Sequence, residues 1–160
     1  MKDKFEMVGT KIPEFTLPNT RGDRVNIHSF CQKKNVLILL LRGLMCPFCR
    51  AHLARVAKKE NLKRFEQLDT EIFPITVDRY ENARRLEVRY VKEKFPIYFD
   101  KNRYVVKLLH QEVKILLLGR LPAVLIVDKQ NVIQYAYYGN SMQDIPTMKE
   151  IFSALEKLGS

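Results

Sequence analysis

The chain has 160 residues, of which 46% are hydrophobic and 29% charged, and this length and composition fit one globular domain over residues 1–160. Three cysteines are too few for a small secreted scaffold held by disulfides, and the formal net charge of +10 is spread too evenly to predict a nucleic-acid partner. The N-terminus has no signal-peptide pattern, and the apolar runs are too short to span a membrane. We therefore expect a cytoplasmic protein with no membrane partner.

The first predicted elements are two short strands between Pro13 and Ile27, separated by a turn at Gly22. Residues 28–33 predict one short helical turn. The run NVLILLLR, residues 35–42, is continuously apolar between polar residues, which is typical of a central strand covered on both faces.

A helix is expected to follow at once, because Pro47 fits the first helical position, where the missing N–H costs nothing. An apolar stripe of helical period continues to residue 68, and Asn61 is expected to mark a kink or a break. The stripe consists of Leu53, Val56, Ala57, Phe65 and Leu68.

Strands and helices alternate through the second half of the chain. The sequence predicts strands at 70–78, 123–128 and 132–138, a short strand or turn at 95–100, and helices at 80–94, at 104–110 and at the C-terminus. Asp144 is expected to cap the last helix. The last two strands are expected to form a hairpin at the sheet edge. This order predicts a mixed central sheet between helices.

Two cysteines, Cys46 and Cys49, lie at the turn from the central strand into its helix. Helix N–H groups and nearby cations, here Arg42 and Arg50, lower the pKa of a thiol and favour its nucleophilic thiolate form. We expect Cys46 to attack an electrophile and the more buried Cys49 to resolve the adduct, which leaves a disulfide between them. Pro47 between them supports the turn.

Three segments together resemble the peroxiredoxin-like AhpC/TSA, or redoxin, family of the thioredoxin-fold superfamily. They are GTKIPEFTLPNTRGDRVNI, NVLILLLRGLMCPFCRAHLARV and RLPAVLIVDKQNVIQYAYYG. The resemblance implies a thioredoxin-like three-layer α/β/α sandwich with a mixed central sheet and an N-terminal β-hairpin. It also implies a cis peptide bond at Pro122, facing the cysteines.

The family's pattern is incomplete here. Typical peroxiredoxins carry proline and threonine or serine at the positions of Leu39 and Gly43, and thioredoxins carry a buried aspartate at the position of Leu40. The resemblance favours peroxide as the substrate, whereas these departures favour a disulfide. It implies reduction by an external dithiol such as thioredoxin or glutaredoxin and no bound organic cofactor, and it allows a homodimer.

Other interpretations of these residues stay open. Cys46, Cys49 and His52 have ligand-like spacing, so a non-catalytic metal-binding or interaction module is an alternative, although a closed zinc site needs four ligands. His52 is expected to be partly exposed on the helix. Cys31 is either a small buried hydrophobe or a second resolving thiol. Arg120 is either an anion-facing active-site residue or a solvated loop residue.

Overall fold

A computed structural model describes residues 2–117 and 119–159 of the chain. The first regular elements are β1 (Thr16–Pro18) and β2 (Arg24–Asn26), which pair antiparallel and are followed by a 3-10 turn over Ile27–Phe30. Gly22 takes a φ of 84° in the loop between the two strands, a conformation that favours glycine. The predicted N-terminal hairpin is confirmed.

A five-stranded mixed sheet forms the centre of the fold. The strands and the small hairpin inserted between them are β3 (Asn35–Leu40), β4 (Thr70–Thr76), β5 (Tyr98–Phe99), β6 (Val113–Lys114), β7 (Gly119–Arg120), β8 (Ala123–Val127) and β9 (Ile133–Tyr138). The sheet order is β5-β4-β3-β8-β9, with β3 parallel to β4 and antiparallel to β8. Only β9 of the final hairpin lies at the edge, because β8 pairs on both sides; the prediction of two edge strands was wrong.

Helices and loops cover both faces of this sheet. The helices are α1 (Pro47–Val56), α2 (Lys59–Gln67), α3 (Tyr80–Tyr90), α4 (Tyr104–Leu108) and α5 (Met148–Leu158). Leu37 and Leu39 of β3 face a core formed with α1, α3 and α5, and Ile38 faces a second core formed with α4 and the N-terminal hairpin. All six residues of β3 are buried. The predicted three-layer thioredoxin-like sandwich is confirmed.

Two helix boundaries differ from the prediction. The break after α1 falls at residues 57–58, and Asn61 donates its side-chain N–H to the carbonyl of Arg55 across that break at 2.7 Å. The last helix is capped by Thr147, whose side chain accepts from the N–H of Glu150, whereas Asp144 binds Lys2 and the Tyr137 hydroxyl. The Asp144 carboxylate therefore has its hydrogen-bond donors outside α5 and does not cap that helix.

Among the helices of the described residues, none has the length and apolar character needed to cross a membrane.

Candidate active site

The two cysteines of CPFC lie where the carboxyl end of β3 meets the N-terminus of α1. Cys46 has the extended backbone of an N-cap residue, and Pro47 begins the helix as predicted. All three cysteines of the chain are free thiols. Cys46 is only 3% exposed and Cys49 1% exposed, so the pair is buried beneath the protein surface.

Cys46 is held as a thiolate by its neighbours. A hydrogen bond from the Cys49 thiol is the largest influence and lowers the Cys46 pKa, outweighing the opposite effect of burial. The Arg42 guanidinium and the backbone N–H groups of Cys49 and Phe48 lower it further, to about 5. Cys46 is therefore ionised at neutral pH.

Cys49 is the complementary, protonated partner. The anionic Cys46 sulfur, which accepts its proton in a hydrogen bond, raises the Cys49 pKa, and burial raises it further. The backbone N–H of Arg42 donates to the Cys49 sulfur at 3.2 Å and fixes its position. One cysteine of the pair is thus a nucleophile and the other holds a proton beside it.

The thiolate of Cys46 should titrate in the acidic range. We expect the ultraviolet thiolate absorbance of wild-type protein, measured against Cys46→Ser, to rise with pH around a midpoint of about 5. Cys49→Ala removes the main stabilising hydrogen bond, so its midpoint should move up towards the ordinary cysteine value near 8.5. Arg50→Ala is the control and should leave the midpoint in place. A wild-type midpoint near 8.5 would contradict this electrostatic description.

Asp78 positions the loop that carries Cys46, and the sequence reasoning missed it. Its carboxylate accepts hydrogen bonds from the backbone N–H of Leu44 and from the Thr76 hydroxyl, each at 2.8 Å. Asp78 lies two residues beyond the end of β4, and β4 is parallel to β3, so the carboxyl ends of the two strands lie side by side. The sequence signal was the aspartate that ends the buried run TEIFPITVD.

Gly43 is required by the close approach of this carboxylate. Its φ is 138°, and an added Cβ would lie 3.2 Å from Asp78 Oδ2. We expect Gly43→Ala to lower the free energy of unfolding by about 1–3 kcal/mol through backbone strain, as measured by urea denaturation. Gly159→Ala, which has only an ordinary contact at 3.7 Å, is the control. Equal stability of the two variants would contradict the requirement.

Arg42 joins the cysteine turn to β7. Its Nε donates to the carbonyl of Arg120 at 2.5 Å, and one terminal nitrogen lies 3.9 Å from the sulfur of Met142. Arg120 therefore meets Arg42 through its backbone, while its own guanidinium lies 3.4 Å from the side-chain oxygen of Gln111. Burial lowers the pKa of the half-buried Arg120, and repulsion from Arg103 lowers it further.

Gln111 is a second residue that the sequence reasoning did not single out. Its buried side-chain amide donates to the carbonyls of Leu41 and Leu121 at 3.1 and 2.9 Å. It thereby links the end of β3 to the start of β8 immediately behind the cysteines.

The peptide bond before Pro122, just before β8, differs from the expectation. No described peptide bond is cis, so the expected cis bond at Pro122 is wrong. The carbonyl of Pro122 accepts from the N–H of Gly139 at 3.0 Å, and a Cβ on Gly139 would lie 3.2 Å from the Pro122 ring. Pro122 thus packs against the end of β9.

Three other residues considered from the sequence are not among the groups that set the pKa of Cys46. Arg50 lies over the Tyr90 ring at 5.5 Å and faces α3. His52 is buried rather than partly exposed. Cys31, whose thiol donates to the carbonyl of Lys129, lies before the start of β3, about 20 Å of strand from Cys46. That separation argues against Cys31 as a resolving thiol.

His52 carries a neutral imidazole. Burial lowers its pKa to about 3, with a smaller contribution from the charge of Arg55. Its Nε2 has no hydrogen-bond partner among the described residues. A neutral ring adds no positive charge to the nearby thiols. Within residues 2–117 and 119–159, no group of three histidine, cysteine, aspartate or glutamate side chains is arranged to hold a metal ion.

A thioredoxin-like sheet with a buried thiolate–thiol pair at a helix N-terminus defines a thiol redox protein by its fold and site. Solved structures of peroxiredoxins share this fold. The reduced 2-Cys peroxiredoxin of Plasmodium vivax aligns with a TM-score of 0.80 at 17% identity, covering 96% of each chain. Peroxidoxin BcpB of Mycobacterium tuberculosis aligns with a TM-score of 0.79 at 15% identity, covering 96% of this chain and 99% of its own.

A cysteine-to-serine mutant of the peroxiredoxin 6 of Arenicola marina aligns with a TM-score of 0.81 at 14% identity, covering 95% of this chain and 73% of its own. No curated protein sequence shows significant similarity to this one. The model of the AhpC/TSA family matches residues 8–136. The chain belongs to the AhpC/TSA family, which confirms the family resemblance and the expected enzyme class, a thiol-based oxidoreductase.

Proposed function

We propose that the protein is a thiol-dependent peroxidase in which Cys46 attacks the peroxide and Cys49 resolves the product. The observation that carries this proposal is the matched pair itself, a thiolate in hydrogen-bond contact with a protonated thiol. The reaction needs Cys46 as a thiolate and Cys49 as a proton donor. Both groups are already in these states, so no general base has to act first.

The first step forms an S–O bond and breaks the O–O bond of the peroxide. The Cys46 thiolate attacks the distal oxygen and becomes a sulfenic acid, while the leaving alkoxide or hydroxide takes the proton of Cys49. The Arg42 guanidinium and the N–H of Phe48, which already stabilise negative charge on Cys46, support this step. They take the place of the threonine or serine hydroxyl that typical peroxiredoxins carry at the position of Gly43.

The second step forms the disulfide. The Cys49 thiolate attacks the Cys46 sulfur, and the departing hydroxide takes a proton from solvent to become water. Two thiols lose two electrons in all, and the peroxide gains them. An external dithiol such as thioredoxin or glutaredoxin then reduces the disulfide, which fits our expectation of a cytoplasmic protein. We carry this partner over from the family resemblance.

A thiol–disulfide reductase is the second candidate. The observation in its favour is that Leu39 and Gly43 stand where typical peroxiredoxins place proline and a hydroxyl residue. The same two cysteines would then act on a disulfide rather than on a peroxide, and Cys46 would form a mixed disulfide with the substrate.

One experiment separates the two. Fully reduced protein is mixed with a small excess of hydrogen peroxide, and intact mass is followed with time. Peroxidase function predicts a loss of about two mass units within seconds in wild type, and a gain of about 16 in Cys49→Ser as the sulfenic acid accumulates. Cys31→Ser is the control and should behave as wild type. Thiols that survive peroxide for minutes but exchange rapidly with a small disulfide would make the protein a reductase.

A further inference from the structure

The small hairpin of β6 and β7 presents aliphatic side chains to solvent. Ile115 is 90% exposed and Leu116 96% exposed in the 3-10 turn between the two strands, and Val113 at the hairpin's base is also exposed. Large aliphatic side chains are ordinarily among the most buried in a protein, and in this chain they fill the two cores around the sheet. The hairpin tip, defined as Ile115 and Leu116, is therefore an exception that needs a partner.

The base of the hairpin is connected to the turn that carries the cysteines. Val113 pairs with Arg120 and Lys114 with Gly119, so two rungs of antiparallel ladder support the turn. The carbonyl of Arg120 accepts from Arg42, the residue whose guanidinium stabilises the Cys46 thiolate. One side chain, Arg42, therefore connects the base of the hairpin with the active site.

The groove at the base of the hairpin carries a net positive charge. Lys107, Val113 and Lys114 line this shallow groove, and both lysine side chains are exposed. Its one acidic residue, Glu112, is paired with Lys4 and Lys114. Three lysines therefore surround one glutamate there.

We propose that the hairpin tip docks the protein on an anionic lipid surface, beside the active site. Aliphatic side chains flanked by lysines suit a membrane interface, where the apolar groups enter below the headgroups and the cations meet lipid phosphates.

Charge and size argue against the other occupants of this surface. Two copies of a chain with a net charge of +10 would bring like charges together around the tip, which disfavours self-association here. A tip of two protruding side chains is also far smaller than the roughly 800 Å² that each partner buries in a stable protein interface. Insertion of two side chains into lipid does not require a buried interface of that size.

This inference goes beyond the proposed function and does not depend on it. It also revises the expectation that no membrane is a partner, which rested on apolar runs too short to span one. Docking on a surface requires no span, because only the side chains of the tip enter the lipid.

The test is vesicle flotation of the full reduced chain at about 0.1 M salt, where long-range charge attraction is largely screened. One vesicle is pure phosphatidylcholine, and in the other about a third of the lipid is phosphatidylglycerol. The variant is Ile115→Ser combined with Leu116→Ser. The control is Val88→Ser, which removes an exposed aliphatic side chain from α3. Sedimentation velocity gives the oligomeric state of each protein without lipid.

We expect wild type and Val88→Ser to float with the anionic vesicles only, and the double variant to bind them at least tenfold more weakly. Failure of wild type to float, or equal flotation with both vesicles, would overturn the proposal. So would undiminished binding by the double variant, which would indicate adsorption by charge alone. A wild-type dimer that the double variant loses, without vesicle binding, would assign the tip to a second copy. Since no readout requires turnover, these outcomes are independent of the peroxidase assay.

Discussion

Cys46→Ser should abolish peroxide turnover, lowering kcat/KM at least about a thousandfold. A serine hydroxyl stays protonated at neutral pH and is a weak nucleophile, whereas the Cys46 thiolate is already ionised beside Cys49. The measurement is peroxide consumption with dithiothreitol as the reductant, which removes any dependence on a protein partner.

Cys31→Ser provides the matched control, because it makes the same chemical change in a thiol at the opposite end of β3. Its turnover should equal that of wild type within error. Peroxide turnover that survives in Cys46→Ser and is lost in Cys49→Ser would exchange the roles of the two cysteines and refute the mechanism.

Glu87→Ala should lower the free energy of unfolding at pH 7 by about 2 kcal/mol, because it removes charge-assisted hydrogen bonds from two arginines to one buried carboxylate. The fully buried Glu87 carboxylate of α3 accepts from Arg84 at 2.7 Å and from Arg21, in the β1–β2 loop, at 3.1 Å. Urea denaturation measures the loss. Glu81→Ala, an exposed glutamate in the first turn of the same helix, is the control and should cost less than about 1 kcal/mol.

The pH dependence of this loss has a defined sign. Burial alone would raise the pKa of Glu87, but hydrogen bonds from Thr20, Arg84 and Arg21 outweigh it and hold the pKa below its usual value. The stabilisation is therefore complete above the ordinary glutamate pKa of 4.5 and is lost as the pH falls through the lower folded-state value. The gap between wild type and Glu87→Ala should narrow in acid, and a gap that widened there would contradict the ion-pair account.

The frame of the fold could be predicted because single segments carry their own signals. NVLILLLR is apolar enough to require cover on both faces, and β3 is the buried central strand between β4 and β8. Pro47 fixes the start of α1, which places Cys46 at the N-cap without any knowledge of the rest of the chain.

The parts that could not be predicted depend on contacts between distant segments. Asp78 meets Leu44, and Gln111 meets Leu41 and Leu121, only after the strands have assembled. His52 has the spacing of an exposed helix residue, and only packing around α1 buries it. No element was predicted between residues 110 and 123, where the structure has the short hairpin of β6 and β7 with Ile115 and Leu116 exposed in its turn.

Because both sulfurs are buried, the two halves of the proposed cycle place different demands on the fold. One half is the reaction with peroxide, and the other is reduction of the disulfide by a protein dithiol. With Cys46 3% and Cys49 1% exposed, both sulfurs lie beneath the surface of the native fold. A small peroxide needs far less space to approach them than a protein dithiol does. Its thiolate must contact a sulfur of the disulfide, which requires the first turn of α1 to open. In the proposed cycle, local unfolding of this helical turn is therefore a required step of recovery. We expect substitutions that loosen the N-terminus of α1 to speed recovery by a protein dithiol and to slow the attack of Cys46 on peroxide.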